Sequence, residues 1–190
     1  MWIGASRTLK RLALNERDVI ADVGAGKGLV VLLAAEYGVR GVIGVEINSE
    51  LAREAANHVE RNRAGLKAQE VEIVCDDALE WEVPEDLSVV YMNNPFTGAT
   101  FDRFVERLFG SLEAHPRGLR VVYAYPAEHE RLMRTGRAQV LDVRPVTLLR
   151  RPGWWKSLEI TVTYALGEGG LPAQRGARSA AVEYWGKRRG

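Results

Sequence analysis

A single cysteine, Cys75, stands in a chain of 190 residues. No internal disulfide can staple the fold, and a reducing compartment, the cytoplasm, is the expected setting. Charge of one sign is also missing. Twenty-six Lys and Arg face 25 Asp and Glu, a formal +1. No global field therefore advertises a nucleic-acid or membrane partner, although a local basic face would be hidden in that total and nucleic acid stays open. The opening stretch lacks a continuous apolar core, because Arg7, Lys10 and Arg11 interrupt it, and it reads as neither signal peptide nor membrane span. Histidine is scarce too. His58, His115 and His129 with one cysteine give no ligand spacing, so no metal site is expected.

What is present is ordinary: 46% hydrophobic and 27% charged residues, the balance of a globular domain. Short β-branched runs alternate with amphipathic stretches, the pattern of a parallel α/β sheet. Strands are expected at Val19–Val23, Val42–Val45, Val71–Cys75, Ser88–Met92 and Leu119–Ala124. Helices are expected at Leu29–Tyr37, after an Asn48 or Ser49 cap, at Phe101–Leu112 and at Glu128–Arg134. The pattern then changes. Val140–Leu149 and Leu158–Ala165 are two extended runs joined by Arg150-Arg151-Pro152-Gly153-Trp154-Trp155-Lys156, too briefly for a crossover helix, so they should be antiparallel. Residues 1–166 form one domain in this reading, and 167–190, rich in Gly, Ala and Arg, a loosely held basic tail.

The loop Asp22-Val23-Gly24-Ala25-Gly26-Lys27-Gly28 follows the first strand, where α/β sheets bind ligands at their carboxyl edge. Glycines there permit positive φ and let a ligand press against bare backbone. A P-loop would need Ser or Thr after Lys27, where Gly28 stands. A dinucleotide loop would need Gly or Ala where Leu29 stands, which leaves a nicotinamide oxidoreductase as a minor alternative. An acidic residue ahead of alternating glycines suits a ligand with a cationic amino-acid tail rather than phosphates. Glu46 ends the second strand, where a carboxylate can hold a ribose diol. Asp76-Asp77-Ala78 ends the third, where Asp77 can accept from an adenine amino group. Singly, each carboxylate reads equally well as a helix or turn cap.

D-V-G-A-G-K-G, G-V-I-G-V-E and C-D-D-A resemble motifs I, II and III of the class I S-adenosylmethionine-dependent methyltransferases, over about Val19 to Ala165. The resemblance implies a Rossmann-like α/β fold: a seven-stranded, mostly parallel sheet with helices on both faces and an antiparallel C-terminal hairpin. It implies S-adenosylmethionine as cofactor, with Asp22, Gly24, Gly26 and Gly28 at the methionine part, Glu46 at the ribose, and Asp77 with Ala78 at the adenine. Members usually carry more helices before the first strand than the residues ahead of Val19 provide, so a homodimer that completes the site is one expectation.

The methyl acceptor should meet the end of the fourth strand, Tyr91-Met92-Asn93-Asn94-Pro95-Phe96. There the Asn94 amide oxygen and the carbonyl of rigid Pro95 can accept hydrogen bonds from an amino nucleophile, and Phe96 can stack on the acceptor or lie against the sulfonium. Asn94-Pro95-Phe96 is similar to the N-P-P-Y motif of amino-methylating enzymes acting on adenine or glutamine, without the second proline and with Phe for Tyr. The N-N-P-F run also resembles a group of short bacterial methyltransferases and, more distantly, the non-SET histone-lysine enzymes. A plain turn built by Asn and Pro is the competing reading. His129 is a candidate base but more simply a solvated surface histidine. The Arg150–Lys156 loop can stack bases or pack under the tail. A nitrogen acceptor, whether protein lysine, RNA base or small amine, is favoured over others; a non-catalytic S-adenosylmethionine-binding module is the alternative.

Overall fold

The computed structural model describes residues 2–147 and 158–167; the Arg150–Lys156 loop and the tail beyond Gly167 lie outside them. Seven strands form one sheet: β1 (Val19–Val23), β2 (Gly41–Val45), β3 (Glu70–Val74), β4 (Val89–Met92), β5 (Leu119–Ala124), β6 (Ala138–Thr147) and β7 (Leu158–Leu166). Their order is β3-β2-β1-β4-β5-β7-β6. β1 to β5 pair in parallel, and β7 runs antiparallel to both β5 and β6. β7 alone is reversed, as two strands with a short connection require.

Alternation along the strands feeds two cores. Ile20, Val42, Val89, Tyr91 and Val122 face one side, under α1 (Trp2–Arg11), α2 (Leu29–Ala35) and α3 (Ser49–Asn62). Val19, Ala21, Val23, Val90, Met92, Val121 and Tyr123 face the other, under α4 (Gly98–Ala114). Phe101, Phe104, Val105, Leu108, Phe109 and Leu112, spaced by three and four, form the buried stripe of α4. The return from β3 to β4 contains no helix. Leu79, Trp81 and Leu87 are buried there, and they fill the α4 side without one.

α1 is an element the sequence reading left unassigned. Ala5, Leu9 and, just past its end, Leu12 are buried at helical spacing, but the intervening charges mask so short a stripe. After α1 the chain runs directly into β1, while a short α5 (His129–Arg134) follows β5. Among the described residues, no helix is long and apolar enough to cross a membrane, and no cluster of His, Cys, Asp and Glu could hold a metal ion.

Candidate active site at the carboxyl rim

The chain leaves β1 toward β2 on one side and later returns to β4 on the other. The strand order therefore reverses at β1, where Val23 is paired with Met92, and such a switch point is where α/β sheets bind ligands. Backbone bonds knit the strand ends beside it. Gly24 and Ala25 N–H donate to the Val45 carbonyl at 2.9 and 3.0 Å, Glu46 N–H to Val74 at 3.0 Å, and Asp76 N–H to Glu46 at 3.2 Å. The first three carboxylate-bearing strand ends thus sit along one edge.

The loop glycines adopt φ of 76°, 55° and 76° at positions 24, 26 and 28, a region that penalises any side chain. Their bare surfaces do not all face a ligand, as the sequence had led us to expect. A Cβ on Gly24 would stand 2.8 Å from Pro95 Cβ, and one on Gly28 would stand 3.0 Å from Ala55 Cβ. Only at Gly26 does open space lie within 4 Å. Gly24 is needed because the fourth-strand loop packs on it, and Gly28 because α3 does.

Asp22 is buried, and its carboxyl is pushed up to about 7, first by burial and then by the charge of Glu46. Glu46, also buried, accepts from Gly26 N–H at 2.7 Å through Oε2 and from Asn48 N–H at 2.9 Å through Oε1. It ties the glycine loop to the start of α3, where the Asn48 side chain caps Glu50 and Leu51 N–H. Next to it Ile47 is 69% exposed, an apolar surface left uncovered at the rim. Half-buried Asp77 accepts from Leu79 N–H at 2.9 Å, and its carbonyl accepts from Glu80 and Trp81. It organises a turn, with Ala78 buried beneath.

The opposite wall is the loop after β4. Asn94 is exposed with φ of 52°, a left-handed conformation that Asn tolerates better than most residues. Its Oδ1 accepts from the Tyr123 hydroxyl at 3.0 Å. Burial pushes the Tyr123 phenol up to about 12, so the hydroxyl keeps its proton and remains the donor. Further along, Gly98 N–H donates to Glu128 Oε1 at 2.8 Å. That amide, with Arg131, holds the Glu128 carboxyl below its usual range. Arg131 bonds Glu128 Oε2 at 3.0 Å and Asp102 at 2.7 Å. Phe96 lies edge-on to Phe104, ring centroids 5.1 Å apart, so it anchors the loop to the core and is only half-exposed. The sequence placed Tyr123 on this edge at the end of the fifth strand but gave no warning of Glu128 or Ile47. The alternation that puts Tyr123 at a strand end was visible, but not the partner across the sheet.

The solvated reading of His129 is corrected. The residue is buried rather than solvated, its Nδ1 lies 2.7 Å from the Tyr164 hydroxyl, and burial lowers its pKa. The α5 start turns into the core beside β7, a contact the local sequence does not announce.

A model of the methyltransferase-domain family matches residues 20–114, half of the chain. The chain belongs to the class I S-adenosylmethionine-dependent methyltransferases. This methyltransferase is 37% identical over 57 residues to a protein-lysine N-methyltransferase of Saccharolobus islandicus, a match that covers 30% of the chain and 35% of that protein. The chain thus matches about a third of that curated relative's length. Its fold is similar to the crystal structure of an RNA methyltransferase from Salinibacter ruber in complex with S-adenosyl-L-homocysteine: TM-score 0.56, 20% identity, covering 90% of this chain and 95% of that one. It is also similar to an S-adenosylmethionine-dependent methyltransferase from Methanosarcina mazei: TM-score 0.62, 18% identity, covering 83% and 96%. At such identities these structures establish the fold.

Proposed function

We propose that this methyltransferase acts on a nitrogen acceptor, a primary or aromatic amine, bound against Asn94 and Pro95. The observation that carries the reading is the contact between Gly24 and Pro95, which presses the glycine loop of β1 against the loop that ends β4. A donor held by the first and an acceptor held by the second meet at the switch point of the sheet, which is the positioning that transfer requires.

The residues fit the donor. Asp22 is a buried carboxylate whose ionisation is opposed by its surroundings, and an ammonium group is the partner that would relieve it. Gly26 leaves its face open. Glu46 would hold the ribose, and exposed Ile47 offers an apolar face to a base whose edge Asp77 would meet. S-adenosylmethionine supplies the activated methyl group when bound. The chain's own residues then have to orient the acceptor. Asn94 Oδ1, held by Tyr123, keeps a lone pair for an acceptor N–H, and the Pro95 carbonyl offers a second. The similarity to a protein-lysine N-methyltransferase supports nitrogen, and the RNA methyltransferase among the fold relatives keeps an RNA base within the class.

Thermal melting with S-adenosylhomocysteine should raise Tm by mass action, and Asp22→Ala or Glu46→Ala should reduce the rise. Labelled-methyl transfer to cell extract fractionated into RNA, protein and small molecules then identifies the acceptor. No thermal shift at millimolar ligand would sink the cofactor assignment. Transfer that survives Asn94→Ala, or label recovered on oxygen, would sink the acceptor assignment.

A further inference from the structure

On the α1 side of the sheet, a cavity of about 410 Å³ opens between the end of α1 and strands β5 to β7, lined in part by Arg11, Arg120, Asp142, Arg144, Thr161 and Thr163. None of its lining belongs to the glycine loop, Glu46, Asp77 or Asn94–Phe96. Register explains the gathering. Thr163 lies opposite Asp142, and Thr161 opposite Arg144 on β6; across the other edge of β7 they face Val122 and Ala124, which belong to the α1-side core.

The wall is polar where a sheet face under a helix is ordinarily apolar. Thr161 and Thr163 are only 6% and 8% exposed, and both line the cavity. Hydroxyls so placed ask for a polar occupant. Three guanidiniums line it, two of them ion-paired: Arg120 with Asp18 and Arg144 with Asp142. Arg120 is locked by the Leu12 carbonyl at 2.6 Å and by Asp18 at 2.8 Å. Arg144 spends Nε on Asp142 at 2.8 Å, which leaves its terminal nitrogens. Arg11 has no ion pair among the described residues. Donors dominate, so the matching ligand is rich in acceptors and negative. The volume falls within the range of small-molecule sites, about 300–1,000 Å³, and exceeds what a lone inorganic anion needs.

We propose that this cavity is a second site, separate from the methyl-transfer rim, that binds a small phosphate monoester through Arg11, Arg144, Thr161 and Thr163. It stands independently of the acceptor assignment. Calorimetric titration of the full chain with ribose 5-phosphate, inorganic phosphate and ribose tests it. Ribose 5-phosphate should bind, inorganic phosphate should bind about tenfold more weakly or worse, and ribose should not bind. Arg144→Gln and the isosteric Thr163→Val should each weaken ribose 5-phosphate by about tenfold, with S-adenosylhomocysteine binding unchanged. Thr163→Val keeps the packed volume, so it answers even if the arginine variant folds poorly. No binding at millimolar ribose 5-phosphate overturns the proposal. So does equal affinity for inorganic phosphate, which would mean adventitious anion binding only, or unchanged affinity in Thr163→Val.

Discussion

At the β1–β2 end of the rim, Asp22 is buried beside Glu46 and its ionisation is disfavoured. At the β4–β5 end, Asn94 is bonded by Tyr123, and Gly98 is bonded by Glu128, which Arg131 neutralises. One half stores electrostatic cost and the other is satisfied by its own hydrogen bonds. A carboxyl moved from 3.8 to about 7 costs the ionised folded state on the order of 4 kcal/mol, at about 1.36 kcal/mol per pH unit. Under the proposed function a cationic ligand would recover that cost on binding, which assigns the first half to affinity. The second half has its hydrogen bonds made within the chain, and under the proposed function it would serve to orient the acceptor.

The contrast is broken most directly at Asp22. Asp22→Asn should reduce S-adenosylhomocysteine affinity by about 100-fold or more in calorimetry while raising the stability of the ligand-free protein at pH 8 by up to about 4 kcal/mol in urea unfolding. Lost affinity without gained stability would show that Asp22 carries no stored cost. The same carboxyl sets a pH dependence. Its folded pKa lies above the unfolded value, so its contribution is most favourable below about 4, declines as pH rises to about 7, and is level beyond. Relative to Asp22→Asn, the parent protein should therefore lose stability across that window, and its affinity for S-adenosylhomocysteine should rise across it.

Gly24→Ala strikes both halves together, because the new methyl meets Pro95 at 2.8 Å in a left-handed conformation. A destabilisation of about 2–3 kcal/mol is expected in urea unfolding, with weaker S-adenosylhomocysteine binding. A neutral result would mean that the two loops do not touch in solution. Tyr123→Phe sharpens the comparison from the other side: methyl transfer should fall by about tenfold while S-adenosylhomocysteine affinity is unchanged. Equal losses in both would assign Tyr123 to packing. The smallest effect belongs to Glu128→Gln. It should cost about 1 kcal/mol in thermal unfolding by weakening the Gly98 and Arg131 bonds, again with the cofactor half indifferent.

The sequence by itself determined the order of elements from β1 onward, the parallel sheet with its reversed last strand, and the glycine loop with its acidic neighbours. Those depend on local periodicity and on connection length, which a chain displays one residue after another. Only the tertiary structure decided what the glycines are for, since the space beside Gly24 and Gly28 belongs to Pro95 and Ala55, distant in sequence. It also withdrew His129 into the core beside Tyr164, set Tyr123 on Asn94, and gathered threonines and arginines from β5, β6, β7 and α1 into one cavity. Each of these depends on which strand lies beside which, and that is fixed by burial of the whole sheet rather than by any one segment.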